Sequence, residues 1–140
     1  VMGTDFVLTG EYTWTAFAAS LVPTCLVSNL LLLNQFPDVE ADESVGRRHY
    51  PIVLGRRKSS IIYGLFLFLA YLTIILSVLL ALLPVASLLG LLTILVAVPT
   101  VRGAYRYAED LERLVPYLGY NVLLTVVTPV LVAVGFLIAA

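Results

Sequence analysis

Ile61 to Leu83 reads IIYGLFLFLAYLTIILSVLLALL, an uninterrupted run without a single Asp, Glu, Lys or Arg. About 20 apolar residues in a helix cross a hydrocarbon layer of ~30 Å, and this run is apolar on every face, as a helix surrounded by lipid and other helices is. A transmembrane strand would instead show ~10-residue segments of alternating polarity. On either side of this run, Thr15–Leu33, Val85–Val101 and Leu118–Ala140 are equally free of charge. The expected fold is an all-α membrane protein with four transmembrane helices, over about 15–36, 61–83, 85–105 and 118–140, in one membrane domain covering 1–140.

Composition agrees. The 140 residues are 61% hydrophobic and 12% charged, with a mean hydropathy of +1.02, where a soluble domain carries about 25% charged residues. A compact soluble chain of this size still exposes roughly 30% of its unfolded surface, so the apolar surplus has to face lipid. The net charge of −1 offers no polybasic surface for nucleic acid. Cys25 is the only cysteine, which excludes an internal disulfide and a multi-cysteine metal site.

Charge is distributed very unevenly. Asp38–Lys58 and Arg102–Arg113 together hold all eight basic residues. With four spans those two segments share one side, and the asymmetry assigns the loops 37–60 and 102–117 to the cytoplasm. A multi-pass protein of the cell membrane is expected. Asp5 and Glu11 then lie outside, Tyr12 and Trp14 suit an outer aromatic belt, and Tyr105, Tyr107 and Tyr117 an inner one. Pro84 marks the turn between the second and third spans, while Pro23 and Pro129 interrupt the backbone bonding of the first and fourth. Val1–Trp14 carries no positive charge and is not a signal peptide. The start at Val1, and a first span oriented as it would be after an odd number of earlier crossings, are expected of a fragment of a longer chain.

The chemistry concentrates where the first span meets the cytoplasm, in Asn34-Gln35-Phe36-Pro37-Asp38-Val39-Glu40-Ala41-Asp42. Asn34, Asp38 and Asp42 are spaced four and four, which on one helix makes a single stripe with neighbouring Cβ atoms about 5–6 Å apart. Pro37 allows a second geometry, in which Asn34 closes one helix and Asp38 lies in the first turn of another. Two carboxylates ~5 Å apart repel by roughly 3 kcal/mol at an effective dielectric of about 20 and therefore attract a proton or a cation. A hard divalent ion suits them, since magnesium is usually held by one or two carboxylates together with substrate phosphates. Arg47, Arg48, Arg56, Arg57 and Lys58 on the same loop are available for the remaining phosphate oxygens.

The segment Asn34–Lys58, NQFPDVEADESVGRRHYPIVLGRRK, resembles the second aspartate-rich motif of the UbiA superfamily of intramembrane prenyltransferases. Asn34, Asp38 and Asp42 match its Asn-x-x-x-Asp-x-x-x-Asp pattern, and Gly46, Arg47, Arg48, Pro51, Leu54 and Gly55 match the continuation. Thr9-Gly10-Glu11-Tyr12 with Trp14 is similar to the menaquinone branch. The resemblance implies that Asp38 and Asp42 bind Mg²⁺ clamping a polyprenyl diphosphate, that Asn34 supports the diphosphate, and that Arg47 or Arg48 neutralises the departing pyrophosphate. It implies transfer of the prenyl group to an aromatic quinone precursor within the membrane, or alternatively to a glyceryl phosphate lipid or another acceptor of the superfamily. It also implies a nine-helix bundle of which these are the last four helices. The first motif is absent here, so turnover is expected to need the N-terminal half of the same protein.

Other readings have less support. A transporter segment would place ionisable residues within its spans, and the four runs carry none. The longer Asp-Gly…Ala-Arg pattern of lipid phosphotransferases is missing. His49, the only histidine, reads as a loop residue, with contact to a diphosphate among Arg47, Arg48 and Asp42 as the lesser reading. Ser28 and Asn29 suit bonds between helices, Asn121 is ambiguous, and Tyr63 and Tyr71 are candidates to line a cavity. In Arg102–Arg113, spacing suggests a helical extension with pairs Arg106–Asp110 and Glu109–Arg113.

Overall fold

A computed structural model describes residues 1–140. It contains helices and no strands: α1 (Met2–Thr9), α2 (Trp14–Asn34), α3 (Val39–Ser44), α4 (Tyr50–Leu54), α5 (Arg56–Leu79), a 3-10 segment (Val85–Thr93) running directly into α6 (Ile94–Arg106), and α7 (Leu111–Ala139). Four helical stretches are long and apolar enough to cross a membrane: Trp14–Asn34, Arg56–Leu79, Val85–Arg106 and Leu111–Ala139. Their outer faces carry exposed Leu31, Ile61, Phe68, Leu95, Val126 and Leu137, the pattern of helices that meet lipid.

Local chemistry sets the helix ends. Thr13 caps α2, its Oγ1 accepting from the Ala16 amide at 3.1 Å while its hydroxyl donates to Asp5 Oδ2 at 2.8 Å, which ties α1 to the first span. At the other end α2 stops at Asn34, because Pro37 disfavours helical dihedrals in the preceding residue and has no amide hydrogen. The second span starts at Arg56, earlier than the expected 61. Gly55 turns the chain at φ 83°, a conformation glycine adopts without a Cβ clash. Arg56, Arg57 and Lys58 then serve as good helix formers whose long side chains reach polar surroundings. The fourth span likewise begins at Leu111 rather than 118, with Asp110 capping it.

The third span is the clearest departure from a uniform helix. Val85–Thr93 is a 3-10 helix, in which residues three apart eclipse each other. Ser87, Gly90 and Thr93 fall on that period, and all three are buried. They form a small-residue edge against the Thr128, Val132 and Gly135 stripe of α7, and small residues let helix backbones approach closely. A Cβ on Gly135 would lie 2.4 Å from the Ser87 amide nitrogen.

The core between the spans combines apolar side chains with two polar clamps. Val22, Leu26, Leu33, Phe36, Leu67, Ile74, Leu114 and Leu124 form the apolar part. Across α2, α5 and α7, Asn29 Nδ2 donates to the Tyr63 carbonyl at 2.8 Å, Tyr63 donates to Asn121 Oδ1 at 3.1 Å, and Asn121 Nδ2 donates to the Asn29 carbonyl at 3.2 Å. Nearer the opposite end, the hydroxyls of Tyr71 and Thr93 lie 2.9 Å apart and those of Thr93 and Thr128 2.8 Å apart. Tyr63 therefore belongs to the packing rather than to a cavity. Tyr71 lines a cleft of about 440 Å³ between α5 and α6.

Candidate functional site at the charged end of the bundle

Both polar segments meet at one end, where Arg56 Nη1 on α5 lies 3.6 Å from Glu109 Oε2 in the turn before α7. That turn, Tyr107–Asp110, breaks the expected helical extension. The pairs Arg106–Asp110 and Glu109–Arg113 accordingly do not form. Asp110 instead accepts from the Arg113 amide and pairs with the Arg113 guanidinium at 3.3 Å, as an N-cap does. Tyr107 stacks on Tyr117 at 5.8 Å, and Arg57 lies over the Tyr105 ring at 5.2 Å.

The second of the two geometries open for the Asn-Asp-Asp segment is the one adopted. α2 ends at Asn34, Phe36 turns inward and is fully buried, and Pro37 precedes α3. Asp38 is the residue immediately before α3, at its N-cap, rather than inside its first turn. The Asp42 amide donates to the Asp38 carbonyl at 2.8 Å, so the two aspartates are one helical turn apart and share a face. Asn34 sits on a different helix, across the corner at 35–38. Asn34 and Asp38 are exposed, whereas the Asp42 side chain is only 15% exposed.

Burial of Asp42 comes with partners. Arg47 Nη1 donates to Asp42 Oδ1 at 2.8 Å, and His49 Nε2 is hydrogen-bonded to Asp42 Oδ2 at 3.0 Å. Arg48 makes no ion pair. It lines a cavity of about 480 Å³ together with Gln35, His49, Tyr50, Val53 and Leu54, and the His49 Nδ1 atom is buried without a partner. No group of three or more His, Cys, Asp or Glu side chains is gathered in the chain. Any ion held here would thus have two protein carboxylates at most and would need other oxygens, a donor set that suits magnesium arriving with a phosphate ligand.

Arg56 is not a free phosphate-binding cation, contrary to the sequence expectation. Its side chain is 10% exposed. Nε donates to the Phe36 carbonyl at 2.8 Å, and Nη2 donates to both carboxylate oxygens of Glu40 at 2.8 and 2.7 Å. This hydrogen bonding holds the Glu40 carboxyl below the ordinary carboxylate range. His49 is a loop residue, as expected, and lies against Asp42, whereas Arg56 is turned inward where the sequence suggests a free cation. Only the tertiary fold brings Arg56 to Glu40 and Glu109, and no local spacing signals it.

A multi-pass, all-helical membrane protein with an acidic helical turn and arginines at one bundle end is the class that this fold and site define. Residues 1–117 match the UbiA prenyltransferase family, and the chain belongs to that family. No curated protein and no solved structure matches the chain.

Proposed function

We propose that this chain forms the half of a membrane prenyltransferase that carries one of two diphosphate-binding motifs, and that its acceptor is an aromatic quinone precursor. Membership of the prenyltransferase family supports the reaction class. The observation that carries the site is the Asp38–Asp42 turn at the charged end of an apolar bundle, with Asn34 beside it and Arg47 and Arg48 following. The menaquinone-like Thr9–Trp14 segment favours the quinone acceptor.

In this reading Asp38 and Asp42 would hold Mg²⁺ together with the polyprenyl diphosphate, and that ion would supply charge neutralisation for the pyrophosphate leaving group. Arg47, which donates to Asp42 Oδ1 at 2.8 Å, stands close enough to the pair that its guanidinium would also reach a phosphate oxygen bound there. Arg48, without a carboxylate partner, contributes a second fork of donors suited to phosphate. Asn34 donates its amide to the same oxygens. The carbon–oxygen bond breaks to give an allylic cation, the acceptor ring attacks it, and the ring then loses a proton. Apolar span walls exclude water from the cation. The charged end faces the cytoplasm, as the positive-inside distribution predicts, and the remaining helices come from the N-terminal half of the same protein.

The decisive experiment is prenyl transfer from a polyprenyl diphosphate to a dihydroxynaphthoate-type acceptor by the full-length protein in lipid, with and without Mg²⁺. Metal-dependent transfer that is lost in Asp38→Asn and Asp42→Asn supports the reading. Full turnover by those variants, or none by the unmodified protein with any aromatic acceptor, overturns it.

A further inference from the structure

The six-residue helix α3 carries Asp42 and follows directly on Asp38, yet none of its residues is buried. Beyond the anchor that buried Phe36 gives the chain two residues before Asp38, apolar packing does little to orient α3, and polar contacts do the rest. Asp42 is held from its own loop by Arg47 and His49. The contact that reaches α3 from a membrane span is made by Arg56. Standing at the start of α5, this one guanidinium bonds the Phe36 carbonyl just before α3, bonds Glu40 between the two aspartates, and faces Glu109 from the α6–α7 turn.

We propose that Arg56 is a positioning residue that sets where Asp38 and Asp42 lie relative to the spans, and that Glu109 makes the α6–α7 turn part of the same hold. The inference rests on the prenyltransferase reading only for what the aspartates bind. The geometry suits a planar fork: Nε bonds the Phe36 carbonyl and Nη2 bonds Glu40, while Nη1 is turned toward Glu109 in an ion pair at 3.6 Å. A lysine ammonium on a flexible stem keeps the charge but cannot present donors in those directions. The side chain is only 10% exposed, so few of its donors can turn to water instead. Arg56 makes no hydrogen bond or ion pair with Asp38 or Asp42, and its effect on them is through α3.

The test uses the full-length protein in nanodiscs with Arg56→Gln, Arg56→Lys, Glu40→Gln and Glu109→Gln. Three quantities are read: the Mg²⁺ dependence of prenyl transfer, binding of Mn²⁺ with inorganic pyrophosphate by loss of the free-ion EPR signal, and hydrogen exchange of the amides at 39–44. Partners that orient metal ligands typically cost 10–100-fold in affinity when removed. Arg56→Gln is expected to raise the Mg²⁺ needed for half-maximal rate about tenfold, with most of kcat recovered at saturating Mg²⁺, to weaken Mn²⁺–pyrophosphate binding in parallel, and to speed exchange at 39–44. Arg56→Lys recovers part of this, and Glu109→Gln gives a smaller shift in the same direction. A rate loss equal at every Mg²⁺ concentration, or unchanged metal binding, overturns the proposal. Should Arg56→Gln fail to fold, Glu40→Gln and Glu109→Gln decide: a shifted metal dependence supports the proposal and a parental one overturns it. Exchange at 39–44 reads the hold without turnover, so parental exchange in the variants counts against Arg56. Absence of transfer by the unmodified protein counts instead against the prenyltransferase reading.

Discussion

The Tyr63 hydroxyl, fully buried in the middle of the bundle, donates to Asn121 Oδ1 at 3.1 Å and so bonds the second span to the fourth. Asn121 returns a bond to the first span at the Asn29 carbonyl. Hydrogen bonds between membrane helices average about 0.6 kcal/mol and reach about 1.7. Tyr63→Phe keeps the ring and removes the donor, and its expected cost is therefore about 1 kcal/mol. Asn121→Leu severs both links and costs more. Thermal unfolding in detergent measures each, and a Tyr63→Phe protein as stable as the parent would show that the bond contributes nothing net.

Asp38 and Asp42 differ in surroundings although one turn separates them. Asp38 is exposed and has no side-chain cap bond, whereas both oxygens of Asp42 are occupied by Arg47 and His49. Neutralising either carboxylate removes charge complementarity to the ion that offsets the leaving group, with an expected loss on the order of 100-fold in kcat. Asp42→Asn also disturbs the ion pair with Arg47, so its thermal stability falls while that of Asp38→Asn does not. Steady-state kinetics beside thermal unfolding separates the two.

Arg48 has no carboxylate partner and lines the cavity beside His49. A hydrogen bond to a charged group is worth about 1.5–3 kcal/mol. Arg48→Ala is accordingly expected to raise KM for the prenyl diphosphate by about tenfold or more, with little effect on stability. An unchanged KM would place the diphosphate elsewhere.

Glu40 supplies a pH dependence with a definite sign. Its folded carboxyl is held below the ordinary value, mainly by the hydrogen bond from Arg56. The associated stabilisation is present in full above the unfolded glutamate value near about 4.3, and it is lost as pH falls through the lower folded value. The protection of the amides at 39–44, taken relative to their intrinsic exchange rate at each pH, is expected to fall across that acid range, and Glu40→Gln removes this part of the fall. Glu40 is exposed to solvent, so added salt weakens the effect.

The four-span architecture was legible because lipid exposure demands apolar faces over a fixed length, and Ile61–Leu83 meets that demand without any tertiary information. The helical spacing of Asp38 and Asp42 was legible for a similar reason, since one turn of backbone decides it. Pro37 left two geometries open, and the packing of Phe36 into the core goes with the one adopted. Arg56 was misjudged because its partners lie on other segments, so a residue that reads as a solvated cation is turned inward. The 3-10 segment was hidden as well. Val85–Thr93 has the hydropathy of any span, and only its fit to α7 reveals why Ser87, Gly90 and Thr93 repeat every third residue.

That fit makes a sharp prediction at Gly135. A Cβ there would meet the Ser87 amide nitrogen at 2.4 Å, the Ser87 Cα at 2.5 Å and the Ala86 carbonyl carbon at 2.6 Å. All three are backbone atoms, so no side-chain rotation relieves the overlap, and the 3-10 segment has to move away from α7. Ser87 Oγ donates to the Val132 carbonyl at 3.3 Å across the same contact, and separation breaks that bond too. Overpacking of this kind typically costs 1–3 kcal/mol. Gly135→Ala is expected to lose about 2 kcal/mol, and Gly135→Val more. Gly119, which has open space around its Cα, provides the control. On a helix away from contacts, alanine in place of glycine stabilises by roughly 0.5–1 kcal/mol, so Gly119→Ala raises the unfolding temperature where Gly135→Ala lowers it. Equal shifts for the two variants would mean that the close approach of Ser87 to Gly135 is not what holds the third span against the fourth.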